Sequence, residues 1–187
     1  MLIGSLSAHS KQIDMDRPVL PGCCGFWSLG LTVGLLSLVE MQIWPFPLRL
    51  FRLLLLLGGG VMLLAGFYEL RRKNDFGTMM NFGFGFFWLS LCGFFYVPLG
   101  PGRSENPALL ACFVIMWGLF SCILFLGTLR QAYLTRTAVA SLAIYQFAWG
   151  AALLKGQPEL QVVAGGFGLA SGMLFLVLGA VRLGRNR

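Results

Sequence analysis

Six long apolar stretches, separated by short polar breaks, constrain this chain more than any other feature. As an α-helix, a stretch of about twenty residues spans the roughly 30 Å hydrocarbon core of a membrane. The stretches cover Gly22–Val39, Leu48–Leu70, Phe76–Val97, Pro107–Leu129, Thr137–Leu154 and Leu160–Val181. None of them alternates polar and apolar residues as the strands of a membrane barrel do. The sequence therefore predicts an all-α membrane protein with six transmembrane helices in one bundle per protomer.

Composition excludes a soluble enzyme, a disordered protein and a secreted disulfide scaffold. Of the 187 residues, 57% are hydrophobic and 11% are charged, whereas soluble domains carry about 25% charged residues. The mean hydropathy is +0.78, and so few polar groups cannot cover a globular surface. We expect a polar tail over residues 1–20, one transmembrane domain over residues 21–183 and a basic tail over residues 184–187.

The distribution of Lys and Arg indicates how the helices cross the membrane. The net charge is +7, and most basic residues stand at the ends of apolar stretches, which favours topology anchoring over nucleic-acid binding. One side carries ten of them: Lys11, Arg17, Arg71, Arg72, Lys73, Arg130, Arg136, Arg182, Arg185 and Arg187. The other side carries four: Arg49, Arg52, Arg103 and Lys155. We expect a multi-pass protein of the plasma or inner membrane with both termini in the cytoplasm.

The sequence contains no recognisable catalytic or metal-binding set. The single histidine, His9, lies in the polar tail, and no CxxC pair occurs. The five cysteines fit as small apolar fillers of helices: Cys23, Cys24, Cys92, Cys112 and Cys122. The run Gly83–Phe86 lies inside an apolar stretch and not after a strand, which argues against a nucleotide loop. We expect no enzyme, no cofactor, no metal and no nucleic-acid partner.

Ionisable residues inside a bilayer cost free energy to bury and are usually functional. In this chain they stand only near the ends of the apolar stretches. Glu40 ends the first stretch and Glu69 lies at the end of the second. For Glu69 the simplest interpretation is a structural ion pair at the interface. With no carboxylate or His near the middle of a span, a carboxylate proton relay has no candidates. This favours a passive pore or movement of the proton with the substrate.

Two kinds of residue inside the stretches leave alternatives open. Asn81 and Gln146 fit either hydrogen bonding between helices or the lining of a pore. At helical spacing, one face groups Asn81 with Phe84, Gly85 and Trp88, and another groups Gln146 with Leu142 and Trp149. Glycines four residues apart form flat ridges, Gly30-xxx-Gly34 and Ala164-xxx-Gly168-xxx-Gly172. These ridges fit tight packing within the bundle or contact between subunits.

Residues 65–77 read AGFYELRRKNDFG, which resembles a signature of the acetate uptake transporter family, approximately A-G-x-x-E-[FY]-[RK]-[RK]-x-N-T-F-G. This family includes bacterial succinate–acetate permeases and fungal acetate permeases. The family pattern continues to Y-G-x-F-W-L, and residues 84–89 read FGFFWL. Further matches fall in residues 117–129 and 164–172. The resemblance covers roughly residues 17–183 in order and spacing.

The resemblance implies a six-helix protomer with its own pore, usually assembled as a homo-hexamer in the lipid bilayer. Members of the family move acetate and other small monocarboxylates, and some move succinate, coupled to protons or as a channel. Their pore narrows at an apolar constriction of Phe, Tyr and Leu, which by alignment falls on Phe26, Phe84 and Leu142. We expect the substrate pathway to include further residues: Asn81, Trp88, Tyr145, Gln146 and Phe175.

Three departures from the family pattern make the expected path more apolar. The opening motif N-P-A-P-L-G-L is reduced to RPVLPGC at residues 17–23, the constriction Tyr becomes Phe84, and a usually small position becomes Phe175. We expect a channel or transporter for acetate-like monocarboxylates. A channel for a small neutral solute such as ammonia or urea stays open, as does a non-transporting membrane scaffold or sensor.

Overall fold

In the computed structural model, residues 20–43, 47–96 and 107–184 are described, and they form six long helices. The helices are α1 (Leu20–Glu40), α2 (Leu48–Arg71), α3 (Asp75–Tyr96), α4 (Pro107–Gly127), α5 (Tyr133–Lys155) and α6 (Pro158–Gly184). A single 3-10 turn, Thr128–Arg130, joins α4 to α5. All six helices are long and apolar enough to cross a membrane. The predicted six-helix membrane fold is confirmed.

The helix ends follow from local chemistry. Helices α4 and α6 begin at Pro107 and Pro158, and proline at the first helical position loses no hydrogen bond. Helix α5 ends before Gly156, which adopts the left-handed conformation with φ 62° that closes many helices. Helix α5 also starts four residues earlier than predicted, because Thr135 and Arg136 interrupt the apolar pattern in its first turn. Apart from Leu20 and Gly184, the predicted tails, with His9, Arg185 and Arg187, lie outside the described residues, and so does Arg103.

The six helices form a ring in chain order, in which each helix packs on the next and α6 closes the ring against α1. Consecutive helices run in opposite directions. One end of the ring, which we call the Arg182 end, contains the starts of α1, α3 and α5 and the ends of the other three helices. The opposite end is called the Glu40 end. A continuous apolar cluster fills the interior between them.

The contact between α1 and α6, called the glycine seam, is built from Gly30, Gly34, Gly168 and Gly172. A Cβ atom on Gly30 would lie 2.7 Å from the carbonyl oxygen of Gly172, and one on Gly172 would lie 2.8 Å from the carbonyl oxygen of Gly30. The two backbones therefore touch directly, as small-residue ridges allow in membranes. The glycine ridges of the sequence pack on each other within one bundle.

The contact between α3 and α4, called the aromatic seam, is built from large rings: Phe84, Phe87, Phe113, Trp117 and Phe120. The ring of Phe87 lies 5.6 Å from that of Phe113 and 5.3 Å from that of Trp117, between ring centroids. Phe84 meets Phe120 edge to face at 5.8 Å. The rings fill the space between the two backbones, which approach each other closely at few points.

Candidate functional site

A cavity of about 670 Å³ opens at the Arg182 end of the ring, and we call it the vestibule. Its walls come from α1, the start of α3, the segment that precedes α5, the first turn of α5 and the last turns of α6. The lining residues are Phe26, Asn74, Phe76, Gln131, Ala132, Tyr133, Leu134, Thr135, Leu178, Val181 and Arg182. The vestibule therefore reaches from the end of the bundle to a member of the predicted constriction, Phe26.

A buried ion pair stands beside the vestibule. Arg182 Nη2 lies 3.0 Å from Glu69 Oε1, and the Glu69 side chain is 0% exposed. The Asn74 amide donates to the other oxygen of Glu69, and the N–H of Gly77 donates to Asn74 Oδ1 over 3.2 Å. Glu69, Asn74 and Gly77 all belong to the signature at residues 65–77. This signature therefore joins the α2–α3 turn to α6, and the ion pair proposed for Glu69 has Arg182 as its partner.

Arg182 also places a positive charge next to the predicted constriction. Its guanidinium carbon lies 5.4 Å from the centroid of the Phe26 ring, within the range of a cation–π interaction. Because Arg182 lines the vestibule as well, a solute in the cavity meets this side chain before it meets the apolar interior. Glu69 balances this charge, but its side chain is 0% exposed whereas that of Arg182 is 27% exposed, so an anion in the vestibule meets the cation and not the carboxylate.

The three predicted constriction residues, Phe26, Phe84 and Leu142, are all buried in one apolar cluster. Phe26 stacks on Phe175 with ring centroids 6.4 Å apart and planes 18° apart, and Phe175 belongs to the same cluster. Phe84 extends from this cluster into the aromatic seam. The structure thus brings Phe26, Phe84, Leu142 and Phe175 together in the interior, and their role as a gate stays a prediction.

Asn81 and Gln146 are both buried, but they differ in their contacts. Asn81 Nδ2 donates to the carbonyl of Gly77 on its own helix over 2.8 Å. Its Oδ1 has no hydrogen-bond partner among the residues described and lies against Gly25. The Ser121 hydroxyl of α4 donates to Gln146 Oε1. Gln146 therefore bonds between helices, while its Nε2 remains without a partner.

Outside the aromatic seam, where the indole Nε1 of Trp117 is also unpartnered, two more side chains of the apolar interior carry such atoms in the described part of the chain. They are Trp88, through its indole Nε1, and Ser171, through its hydroxyl. A buried donor left without a hydrogen bond costs about 1–3 kcal/mol. Such groups are rare in folded proteins and call for an explanation. Trp88 is among the residues expected in the substrate pathway, but nothing in the sequence indicates that Ser171 lacks a partner.

A polar contact lies further towards the Glu40 end. The Tyr145 hydroxyl donates to the Glu40 carboxylate, with 3.2 Å to each oxygen. The Tyr145 ring passes over Gly168, where a Cβ would lie 2.8 Å from it, and it stacks on Trp149 at 5.9 Å. Tyr145 of α5 thus reaches across α6 to the end of α1. No pattern in the sequence indicates this pair, because 105 residues separate its members.

Comparison with known proteins places these features in a wider group. A sequence profile described as the GPR1/FUN34/yaaH family matches residues 4–182. An uncharacterized protein of Methanothermobacter thermautotrophicus is 28% identical over 179 residues, covering 91% of this chain and 88% of that protein. The succinate-acetate/proton symporter SatP of Escherichia coli K12 is 27% identical over 164 residues, covering 86% of this chain and 87% of the relative.

A solved structure described as the bacterial acetate channel SatP superposes on this chain with a TM-score of 0.81. The two share 25% sequence identity, and the superposition covers 88% of this chain and 91% of the other. The six-helix ring, with the vestibule and the apolar cluster within it, is therefore built on the same fold as that channel.

Proposed function

The chain belongs to the GPR1/FUN34/yaaH family, and on that premise we propose that it passes acetate and similar small monocarboxylates across a membrane through its helix ring. One observation carries the proposal: the vestibule presents Arg182 and ends at Phe26, the first residue of the apolar cluster. A cation at the mouth raises the local concentration of carboxylates. The family relatives with named substrates support the same class of solute.

The apolar cluster sets the form in which the substrate crosses. Moving a bare carboxylate into an apolar ring costs many kcal/mol unless donors replace its water. Protonated acetic acid is neutral, and its methyl group fits such a ring. We therefore propose that the proton moves with the substrate through a gate formed by Phe26, Phe84 and Leu142. Succinate carries a second carboxyl group, so we expect it to cross more slowly than acetate.

The assembly that we propose is a homo-hexamer with both termini in the cytoplasm. The glycine ridges no longer argue for contacts between subunits, because they are used within the bundle. The support that remains is the resemblance to acetate uptake transporters and the apolar outer faces of the helices. Mass measurement in mild detergent tests the assembly, and a stable monomer as the sole species contradicts it. Labelling of a cysteine placed after Arg187 in intact cells tests the orientation.

Uptake of labelled acetate by proteoliposomes tests the function, with labelled urea and ammonia in parallel. We expect acetate uptake above that of protein-free vesicles, rising as the pH falls towards 5. Uptake of urea or ammonia without acetate would establish the neutral-solute channel instead. Absence of uptake for all three would favour a non-transporting scaffold or sensor.

Two gate variants sharpen the same assay. Phe84→Tyr adds a hydroxyl that opens a second route, because it can donate to acetate that reaches the gate as the anion. A hydrogen bond to a charged group is worth about 1.5–3 kcal/mol. We expect acetate flux to rise about ten- to a hundredfold. Leu142→Ala widens the ring, so we expect it to admit lactate with little change in acetate flux. Unchanged flux in Phe84→Tyr at both pH 5 and pH 7.5 would remove Phe84 from the rate-limiting ring.

A further inference from the structure

Three interior residues stand one helical turn beyond the predicted gate, on the side of the Glu40 end. Trp88 follows Phe84 by four residues, Gln146 follows Leu142 by four, and Ser171 precedes Phe175 by four. Helices α3 and α5 run towards the Glu40 end and α6 runs away from it, so all three steps point the same way. Residues four apart share a helix face and lie about 6 Å apart along the axis.

These three side chains are buried, and each has a hydrogen-bond donor without a partner among residues 20–43, 47–96 and 107–184. Their exposed fractions are 0% for Trp88, 1% for Gln146 and 0% for Ser171. The atoms without a partner are Trp88 Nε1, Gln146 Nε2 and Ser171 Oγ. They come from three different helices. Three orphaned donors at one depth, next to an apolar gate, are the arrangement expected of a site whose ligand supplies the acceptors.

We propose that Trp88, Gln146 and Ser171 form a binding site for the carboxyl group of a small monocarboxylate, and we call this set the donor layer. The proposal rests on the proposed transport function. An indole N–H and an amide NH₂ only donate, and a hydroxyl donates readily, whereas a carboxyl group accepts hydrogen bonds through its oxygens in both its protonated and its ionised form. No basic side chain belongs to the set, so the site holds its ligand by neutral hydrogen bonds and releases it easily.

The Gln146 amide is positioned for this role by its neighbour on α4. The Ser121 hydroxyl donates to Gln146 Oε1, and the carbonyl of Trp117, 3.1 Å away, is its alternative acceptor. With its oxygen occupied, the amide turns its NH₂ away from Ser121. Ser121 is therefore a positioning residue, while Gln146 touches the ligand.

The donor layer complements the gate. A carboxyl group gives up water when it enters the apolar ring and regains hydrogen bonds one turn later. Asn81, on the vestibule side of Phe84, presents an unpartnered acceptor, Oδ1, rather than a donor. The two sides of the gate therefore differ in polarity: an acceptor stands towards the Arg182 end, and three donors stand towards the Glu40 end.

Concentration-dependent uptake of labelled acetate by proteoliposomes tests the donor layer in three variants: Trp88→Phe, Ser171→Ala and Gln146→Glu. The first two each delete one donor; Ser171→Ala keeps the shape of the site, and the volume that Trp88→Phe loses is matched by the control Trp117→Phe. We expect each to raise the half-saturating acetate concentration roughly three- to tenfold. Gln146→Glu replaces the NH₂ by an acceptor and keeps the bond from Ser121, so we expect a rise of more than about tenfold.

Two matched controls separate the layer from general packing. Trp117→Phe deletes an equally unpartnered indole N–H that lies in the aromatic seam. Ser90→Ala deletes a hydroxyl that bonds only to its own helix, over 2.7 Å to the carbonyl of Phe86. We expect both controls to stay within twofold of the wild type. Half-saturating concentrations in the layer variants that match those of the controls overturn the proposal.

A second readout keeps the donor layer separate from the proposed function. Acetate should raise the melting temperature of the purified protein in detergent, and less so in the three layer variants, because a ligand that binds the folded state stabilises it. If the wild type shows no acetate uptake, the transport proposal fails, and loss of the stabilisation in the variants still supports the binding site. If acetate stabilises the wild type and the layer variants equally, the donor layer is wrong even where uptake is present.

Discussion

The glycine seam and the aromatic seam hold neighbouring helices together in opposite ways. Between α1 and α6 the backbones touch, and Gly30 and Gly172 have no room for a single added carbon. Between α3 and α4 the rings of Phe87, Phe113 and Trp117 fill the space. Lipid tails are as apolar as these side chains, so both seams depend on close packing rather than on the hydrophobic effect. The glycine seam therefore fixes the distance between α1 and α6, whereas the aromatic seam fills the volume between α3 and α4.

Adding one methyl group to the glycine seam should have the largest effect. In Gly172→Ala the new carbon would meet backbone atoms, the carbonyl oxygen of Gly30 at 2.8 Å and the nitrogen of Gly34 at 3.1 Å, which cannot turn aside as a side chain does. We expect the free energy of unfolding to fall by about 2–3 kcal/mol, which lowers the melting temperature by roughly 4–12 °C in mild detergent.

Gly166→Ala is the matched control for this prediction. Gly166 lies on the same helix, and a Cβ there would meet nothing within 4 Å. Alanine forms helices better than glycine by about 1 kcal/mol, so we expect this variant to be unchanged or more stable. Equal losses in Gly166→Ala and Gly172→Ala would mean that the seam does not set the distance between α1 and α6.

Replacing a whole ring in the aromatic seam should destabilise the protein less than adding a methyl group to the glycine seam. Phe87→Leu keeps most of the volume and loses the ring contacts with Phe113 and Trp117. We expect the free energy of unfolding to fall by about 1.5 kcal/mol, which lowers the melting temperature by roughly 3–6 °C in the same thermal assay. Phe86→Leu, at a neighbouring position that is 57% exposed, should change little. A larger loss in Phe87→Leu than in Gly172→Ala would reverse the comparison.

The smallest effect is expected where the glycine seam approaches the Glu40 end. Tyr145→Phe removes the hydroxyl that bonds to Glu40 and leaves the ring over Gly168. We expect the free energy of unfolding to fall by about 1 kcal/mol, which lowers the melting temperature by roughly 2–4 °C. The control is Tyr133→Phe, because Tyr133 is 77% exposed and should tolerate the change. An unchanged melting temperature in Tyr145→Phe would show that this contact adds nothing to the seam.

The sequence predicted what short-range patterns encode. The apolar stretches gave the six helices within a few residues, and the ridge containing Gly30 predicted close packing. These properties depend on residues within one or two turns of each other, so a single sequence is enough to read them.

What the sequence could not predict depends on contacts between distant helices. Glu69 is followed at once by Arg71 and Arg72, yet it pairs with Arg182, which is 113 residues away. Gln146 bonds to Ser121, and Tyr145 reaches Glu40, without any spacing that signals either contact. The unpartnered hydroxyl of Ser171 is harder still to predict, because it depends on every neighbouring helix having no hydrogen-bond partner within reach.

The ring also sets an order of assembly during synthesis. Helices α2 to α5 can each find a neighbour soon after they enter the bilayer, because that neighbour precedes or follows them directly in the chain. Helix α1 enters first among the described helices, yet it packs most extensively on α6, which enters last. Contacts between such distant segments form late, since a long chain must first be ordered. Until then α6 does not cover the glycine ridge of α1. The insertion of α6 is therefore the step that closes the ring of helices around the interior.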